Sequence, residues 1–135
     1  MIAFESNREG PFHIYVMDAD GDHQRTLTSG PNDDRHPIWT RDGQSILYDS
    51  FDGVRQDIWS VNVSDGSRQR LTHVDGLADY PSPSPDGQWI AFYVYKDMTL
   101  NIWLARADGS EPQPLTFELA DTRRNQPTMA WHEPS

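Results

Sequence analysis

Carboxylates are the first residues to weigh, since the 135-residue chain has 21 Asp and Glu against 11 Lys and Arg. Asp18-Ala19-Asp20-Gly21-Asp22 alternates carboxylates, a pattern that can offer several oxygens to a hard cation such as Ca2+. Its Gly stands fourth rather than sixth, and no Glu follows at the position that would bind bidentately. The segment also matches Asp65-Gly66 and Asp108-Gly109, which read as hairpin turns. The turn is therefore the stronger reading, Asp18, Asp20 and Asp22 are the metal alternative, and no other cofactor is expected. His13, His23, His36, His73 and His132 show no metal-ligand spacing. No Gly-x-Ser-x-Gly elbow, phosphate loop or dinucleotide fingerprint occurs, and Ser67 and Ser110 follow Asp-Gly turns. Many carboxylate pairs could approach each other as in a glycosidase, but no spacing selects one. The expectation leans away from an enzyme.

Recognition chemistry is better placed. A polar segment precedes each of three prolines: Asp33-Asp34-Arg35-His36 before Pro37, Ala78-Asp79-Tyr80 before Pro81, and Arg123-Arg124-Asn125-Gln126 before Pro127. The candidate binding residues are Asp34, Arg35, His36, Asp79, Tyr80, Arg123, Arg124 and Asn125, charged, amide and aromatic groups suited to a peptide or protein surface. The competing reading makes them loop solubilisers and hydrogen bonders between repeats. Arg123-Arg124 is the only adjacent basic pair. With a net charge of −10 and a pI near 4.6, the chain is not expected to track nucleic-acid phosphates or anionic membranes, and that pair reads as a local anion contact.

The elements that must hold these residues follow from a repeat. Asp42-Gly43-Gln44 returns as Asp86-Gly87-Gln88, 44 positions later, and Pro37 returns as Pro81. The same offset links Ile2, Ile46 and Ile90; Ile14-Tyr15, Ile58-Trp59 and Ile102-Trp103; and Leu27-Thr28, Leu71-Thr72 and Leu115-Thr116. Such a period marks stacked supersecondary units. Ten Pro, nine Gly and abundant aromatics suit an all-β chain rich in turns. In the second repeat, turn signals divide the sequence into strands over 35–40, 45–50, 57–63 and 68–72. Ile46-Leu47-Tyr48 and Ile90 to Tyr95 are apolar on successive residues, so both faces of those strands should be covered. There is no cysteine, and no apolar run reaches membrane-spanning length.

Pro37-Ile38-Trp39-Thr40-Arg41-Asp42-Gly43, Ser84-Pro85-Asp86-Gly87, Ile90-Ala91-Phe92, Asp57-Ile58-Trp59 and Arg70-Leu71-Thr72 resemble the TolB-like propeller repeat, a relative of the WD-type repeat. The resemblance covers nearly the whole chain. It implies a β-propeller segment over 1–135, with blade repeats at about 2–45, 46–89 and 90–135. It also implies that the polar segments sit at the mouth of a central channel. The loops carrying Phe12, Phe51 and Tyr95 should surround the same face.

Ile2 enters at a second strand, and Pro127 to Trp131 reads as a first strand without a successor, so three blades' worth of strands is circularly permuted. Three blades do not close a ring, because propellers have about 4–8. The expectation is a homodimer forming a six-bladed ring, the alternative being an excerpt of a longer chain. The implied function is a non-catalytic module binding protein or peptide at the channel mouth. The alternatives are the propeller portion of a prolyl oligopeptidase-type or tricorn-type hydrolase, or a propeller binding a small ligand or cation. The cytoplasm is expected if the chain is complete, and the periplasm, where many TolB-like proteins reside, if it is an excerpt.

Overall fold

Short side-chain-closed turns set the strand boundaries. In the computed structural model, which describes residues 1–116, 120–121 and 129–132, the Thr40 hydroxyl donates to Asp42 Oδ1 at 2.7 Å and accepts the Ser45 amide at 3.1 Å. The Gln44 amide closes onto the same Asp42 oxygen at 3.0 Å. Ser84 and Asp86 repeat this pattern, with distances of 2.6 Å between their side chains and 3.0 Å from the Trp89 amide to Ser84 Oγ. The aspartate of Ser/Thr-x-Asp-Gly is thus a backbone cap, and these bonds hold the carboxyls of Asp42 and Asp86 below the usual range.

Every regular element among the described residues is a strand. The first sheet is β1 (Ile2–Ser6), β2 (His13–Met17) and β3 (Arg25–Thr26), in that order. The second is β4 (Asp33–Trp39), β5 (Ser45–Phe51), β6 (Gln56–Asn62) and β7 (Arg68–Arg70). The third is β8 (Leu77–Pro83), β9 (Trp89–Lys96), β10 (Thr99–Arg106) and β11 (Gln113–Pro114), with β12 (Ala120–Asp121) also paired to β10. All pairings are antiparallel. This is the all-β architecture of a partial propeller, and among the described residues the first sheet has no counterpart of the inner strands β4 and β8.

Two differences from the sequence expectation have local causes. The fourth strand stops at Arg70 rather than Thr72 because a side chain takes over the ladder there. The Ile58 amide donates to Thr72 Oγ1 at 2.9 Å, and Ile14 and Ile102 do the same to Thr28 and Thr116. The recurring Leu-Thr pair is therefore a hydroxyl splice. The strand expected from Pro127 to Trp131 is not seen in its described part, since residues 129–132 form no strand and Pro127 and Thr128 lie outside the described residues.

Strand alternation builds one apolar layer at each junction between sheets. Ile46 and Tyr48 point back to the first sheet, where they pack with Ile14 and Val16. Leu47 points forward and joins Ile58, Ile90, Phe92 and Val94 between the second and third sheets. Burying each such side chain contributes roughly 1.5–3 kcal/mol. Both faces of β5 are therefore covered, as its unbroken apolar run requires.

Candidate functional site

The prolines shape the site by what they lack. Pro37 and Pro81 have no amide hydrogen, and the ladder slips there, between Arg35 and Ile38 on β4 and between Asp79 and Ser82 on β8. The preceding residues, His36 and Tyr80, take left-handed backbone angles with φ of 58° and 51°. Such angles cost ~1–2 kcal/mol for residues other than glycine. An acid from the preceding sheet holds each bulge. The His36 amide donates to Glu5 Oε2 at 2.6 Å, and the Tyr80 amide to Asp49 Oδ2 at 3.0 Å. Glu5, Asp49 and Tyr93 are the same position of successive repeats, and the Tyr93 hydroxyl meets the Met129 backbone in turn.

The two clasps differ in charge. In the first, Arg35 also donates to Glu5 Oε1, at 3.1 and 3.2 Å, and lies over the Phe12 ring. In the second, the position of Arg35 is occupied by Asp79, so a second carboxyl stands beside Asp49 where the first clasp has a guanidinium. Asp49 is buried and fully engaged: its Oδ2 accepts from His36 Nδ1 at 2.7 Å as well as from Tyr80, and its Oδ1 accepts from Gln56 at 3.0 Å. Asp79 Oδ1 is buried without a hydrogen-bond partner among the described residues.

Desolvation, reinforced by the charge of Asp49 and opposed by His36, pushes the Asp79 carboxyl up to about 7. For His36, burial is the largest single influence and lowers its proton affinity. The Asp49 hydrogen bond and the charges of Asp49, Glu5 and Asp79 together outweigh it, so the net shift is upward. The His36 ring stacks on Tyr80 at 3.7 Å, Tyr80 meets the edge of Tyr93 at 6.3 Å, and Tyr80 remains 41% exposed. The result is an accessible aromatic shelf with a carboxyl behind it that is paired with no lysine or arginine among the described residues.

Of the sequence candidates, Arg35, His36, Asp79 and Tyr80 gather here, midway along the inner strands. Asp34 does not. It is one residue out of phase with Arg35 and is 1% exposed between the first two sheets, where burial raises its pKa against the opposing influence of the Ser50 and Thr28 hydroxyls and leaves its Oδ2 without a hydrogen-bond partner among the described residues. Arg123, Arg124 and Asn125 lie outside the described residues. Phe12 is covered by Arg35, while Phe51 is exposed at the end of β5. Sequence reasoning missed Glu5, Asp49 and Tyr93, although their spacing of 44 marks them as one repeat position.

Asp18, Asp20 and Asp22 form a turn. Asp18 Oδ2 bonds His23 Nδ1 at 2.7 Å and Asp20 Oδ1 accepts the Asp22 amide at 2.9 Å. Among the described residues no three His, Asp or Glu side chains are grouped to hold a metal. A groove of about 590 Å³ between the second and third sheets is lined by Asp42, Asp86 and Asp108. Each of these carboxylates caps its own turn.

Residues 1–132 match the family model described as the TolB beta propeller domain. An uncharacterised Agrobacterium fabrum protein is 35% identical over 107 residues, 79% of this chain and 36% of that protein. The Tol-Pal system protein TolB of Anaeromyxobacter dehalogenans is 31% identical over 112 residues, 82% of this chain and 25% of its own length. The chain thus spans about a quarter to a third of these relatives. Among solved structures, a protein of Agrobacterium tumefaciens provisionally identified as TolB superposes with a TM-score of 0.76 at 33% identity, covering 85% of this chain and 42% of its own. Dipeptidyl peptidase 4 of Porphyromonas gingivalis superposes with a TM-score of 0.69 at 22% identity, covering 87% and 17%, a likeness of fold alone.

Proposed function

Because the chain belongs to the TolB β-propeller domain family, we propose that it is a non-catalytic recognition module that binds a protein or peptide segment against the His36–Tyr80 shelf. The observation that carries this reading is the charge exchange between the two clasps, Arg35 on Glu5 in one and Asp79 beside Asp49 in the other. A lysine or arginine of the incoming segment fills the place of the missing guanidinium, its stem lying on the exposed Tyr80 ring. Rigid aromatic area held at a strained bulge gains contact at little entropic cost. The relatives named as Tol-Pal system proteins support a place in the periplasm rather than the cytoplasm.

The test is an array of short immobilised peptides that differ only in carrying lysine, arginine, norleucine or glutamate at one central position. The wild-type chain should retain the lysine and arginine series above the norleucine series, and Tyr80→Ala combined with Asp79→Asn should lose that preference about tenfold. Equal retention of all four series by the wild-type chain refutes the reading.

A further inference from the structure

The two clasps settle their charge in different ways. In the first, Glu5 is matched by Arg35, whose Nε and Nη2 both reach Glu5 Oε1. A guanidinium does not give up its proton in a protein, so that clasp holds its own cation at any pH. In the second, Asp49 is matched by His36 at 2.7 Å, a cation only while the imidazole is protonated, and Asp79 is matched by no lysine or arginine among the described residues.

The groups that face Asp79 come from four other strands. β5 brings Asp49 and β4 brings His36, the two charges that act on it directly. β9 sets Tyr93 opposite it in the ladder, and Tyr80 follows it on β8. Both tyrosines titrate above their ordinary 10.0 because of burial and the nearby carboxylates, and so stay neutral. β6 carries Asp57, whose carboxylate is turned to Arg55 and Arg70 at 3.5 and 3.3 Å. Beyond these, Glu5 of β1 acts on His36 and is matched by Arg35. With Asp79 and His36 both protonated, the imidazolium balances Asp49 and the second clasp is neutral. With both deprotonated, Asp49 and Asp79 are left as two carboxylates without a cation, behind the exposed Tyr80 ring.

We propose, on the recognition reading above, that the shelf exchanges protons for its guest: a lysine or arginine enters beside Asp79 as Asp79 and His36 release their protons to solvent, so that recognition is shut off in acid and switched on above neutral pH. The two titrations reinforce each other, since each makes the site more negative as pH rises. The raised proton affinities of Asp79 and His36 place both events near neutrality. A cation that binds only the deprotonated pair must expel those protons, and its affinity must rise with pH until the pair is deprotonated without it. The guest's own ammonium or guanidinium keeps its charge throughout, so the pH dependence belongs to the chain.

Fluorescence anisotropy tests this, with the lysine-centred peptide of the array and its norleucine counterpart titrated by the 135-residue chain from pH 5.5 to pH 8.5, folding being verified at each pH by circular dichroism. The peptides differ at one position, so the ratio of their affinities isolates the charge of that side chain. In the wild-type chain the ratio should be near one at pH 5.5 and at least about tenfold higher at pH 8.5. Calorimetry at pH 6 in two buffers of different ionisation heat should show about one proton released per lysine peptide bound and none for norleucine. Asp79→Asn should reduce the rise to about threefold or less, the part due to His36. A lysine preference that is present but constant or falling over this range overturns the exchange and leaves the recognition reading standing. A ratio near one at every pH refutes the recognition reading and the exchange with it. Full retention of the rise in Asp79→Asn also overturns the proposal.

Discussion

Replacing Asp79 with Asn should raise stability above neutral pH and flatten its pH dependence. In the folded chain the Asp79 carboxyl titrates at about 7, against an ordinary value of 3.8. The folded state therefore holds a proton that the unfolded state has released between those two values. Stability falls where the folded state binds more protons, so this contribution is complete below about pH 4, declines through the interval and is gone above pH 7. The roughly thousandfold difference in proton affinity corresponds to ~4 kcal/mol as an upper bound, at ~1.4 kcal/mol per factor of ten.

His36 acts in the same direction. Its raised folded pKa contributes stability that is present below its ordinary 6.5 and lost as pH rises through the folded value. The carboxyls whose pKa values are lowered, Asp42, Asp52, Asp65, Asp75, Asp86 and Asp108, change state only below 3.8, outside this window. Urea unfolding between pH 5 and pH 8 should thus show the wild-type chain losing about 1–3 kcal/mol, less than the bound because Asp79, Asp49 and His36 share protons. Asp79→Asn should retain only the parts of the slope due to His36 and to the buried Asp34 carboxyl, whose pKa is also raised, and exceed wild type at pH 8. Its amide keeps the shape and brings no second charge to Asp49. A wild-type chain that grows more stable from pH 5 to pH 8, or a variant with an unchanged slope, refutes the reasoning.

Three further outcomes follow from the geometry. Gly109→Ala should cost several times more than Gly66→Ala in the equivalent turn: an added Cβ at 109 meets the Leu71 carbonyl oxygen at 2.1 Å, whereas at 66 it meets nothing within 4 Å. Both glycines have positive φ, so the open one should still cost ~1–2 kcal/mol by thermal unfolding. Thr72→Val leaves the buried Ile58 amide without its acceptor and removes the donor to Asp57 Oδ1, and should cost ~1–3 kcal/mol in urea midpoint measurements. Asp49→Ala removes the acceptor of His36, Tyr80 and Gln56 together. It should destabilise by at least ~2 kcal/mol and eliminate the upward shift of His36 seen by NMR titration.

The periodic part of the fold was legible because the same physical task recurs every 44 positions. Asp42 and Asp86 close the same turn, Thr28, Thr72 and Thr116 splice the same ladder, and Ile46 and Ile90 fill the same layer. The composition of the site was partly legible, since a charged or aromatic residue before a strand proline is conspicuous. The pairing across sheets was not, because Glu5 and Asp49 sit in apolar strands far from those prolines and a one-residue step decides which face they serve. That step also separates Asp34, 1% exposed, from its neighbours Arg35 and His36, which face the clasp.

The clasp explains why variation should concentrate at one position. The residue before each proline needs a carbonyl or carboxylate for its exposed amide, so the acid at Glu5 or Asp49 is fixed by backbone chemistry. The residue before that, Arg35 or Asp79, has no such duty, and its sign can reverse without unmaking the bulge. Recognition can therefore be written at that position while the scaffold stays constant. The cost of the Asp79 carboxyl to the folded chain is then the part of the structure that a bound cation would repay.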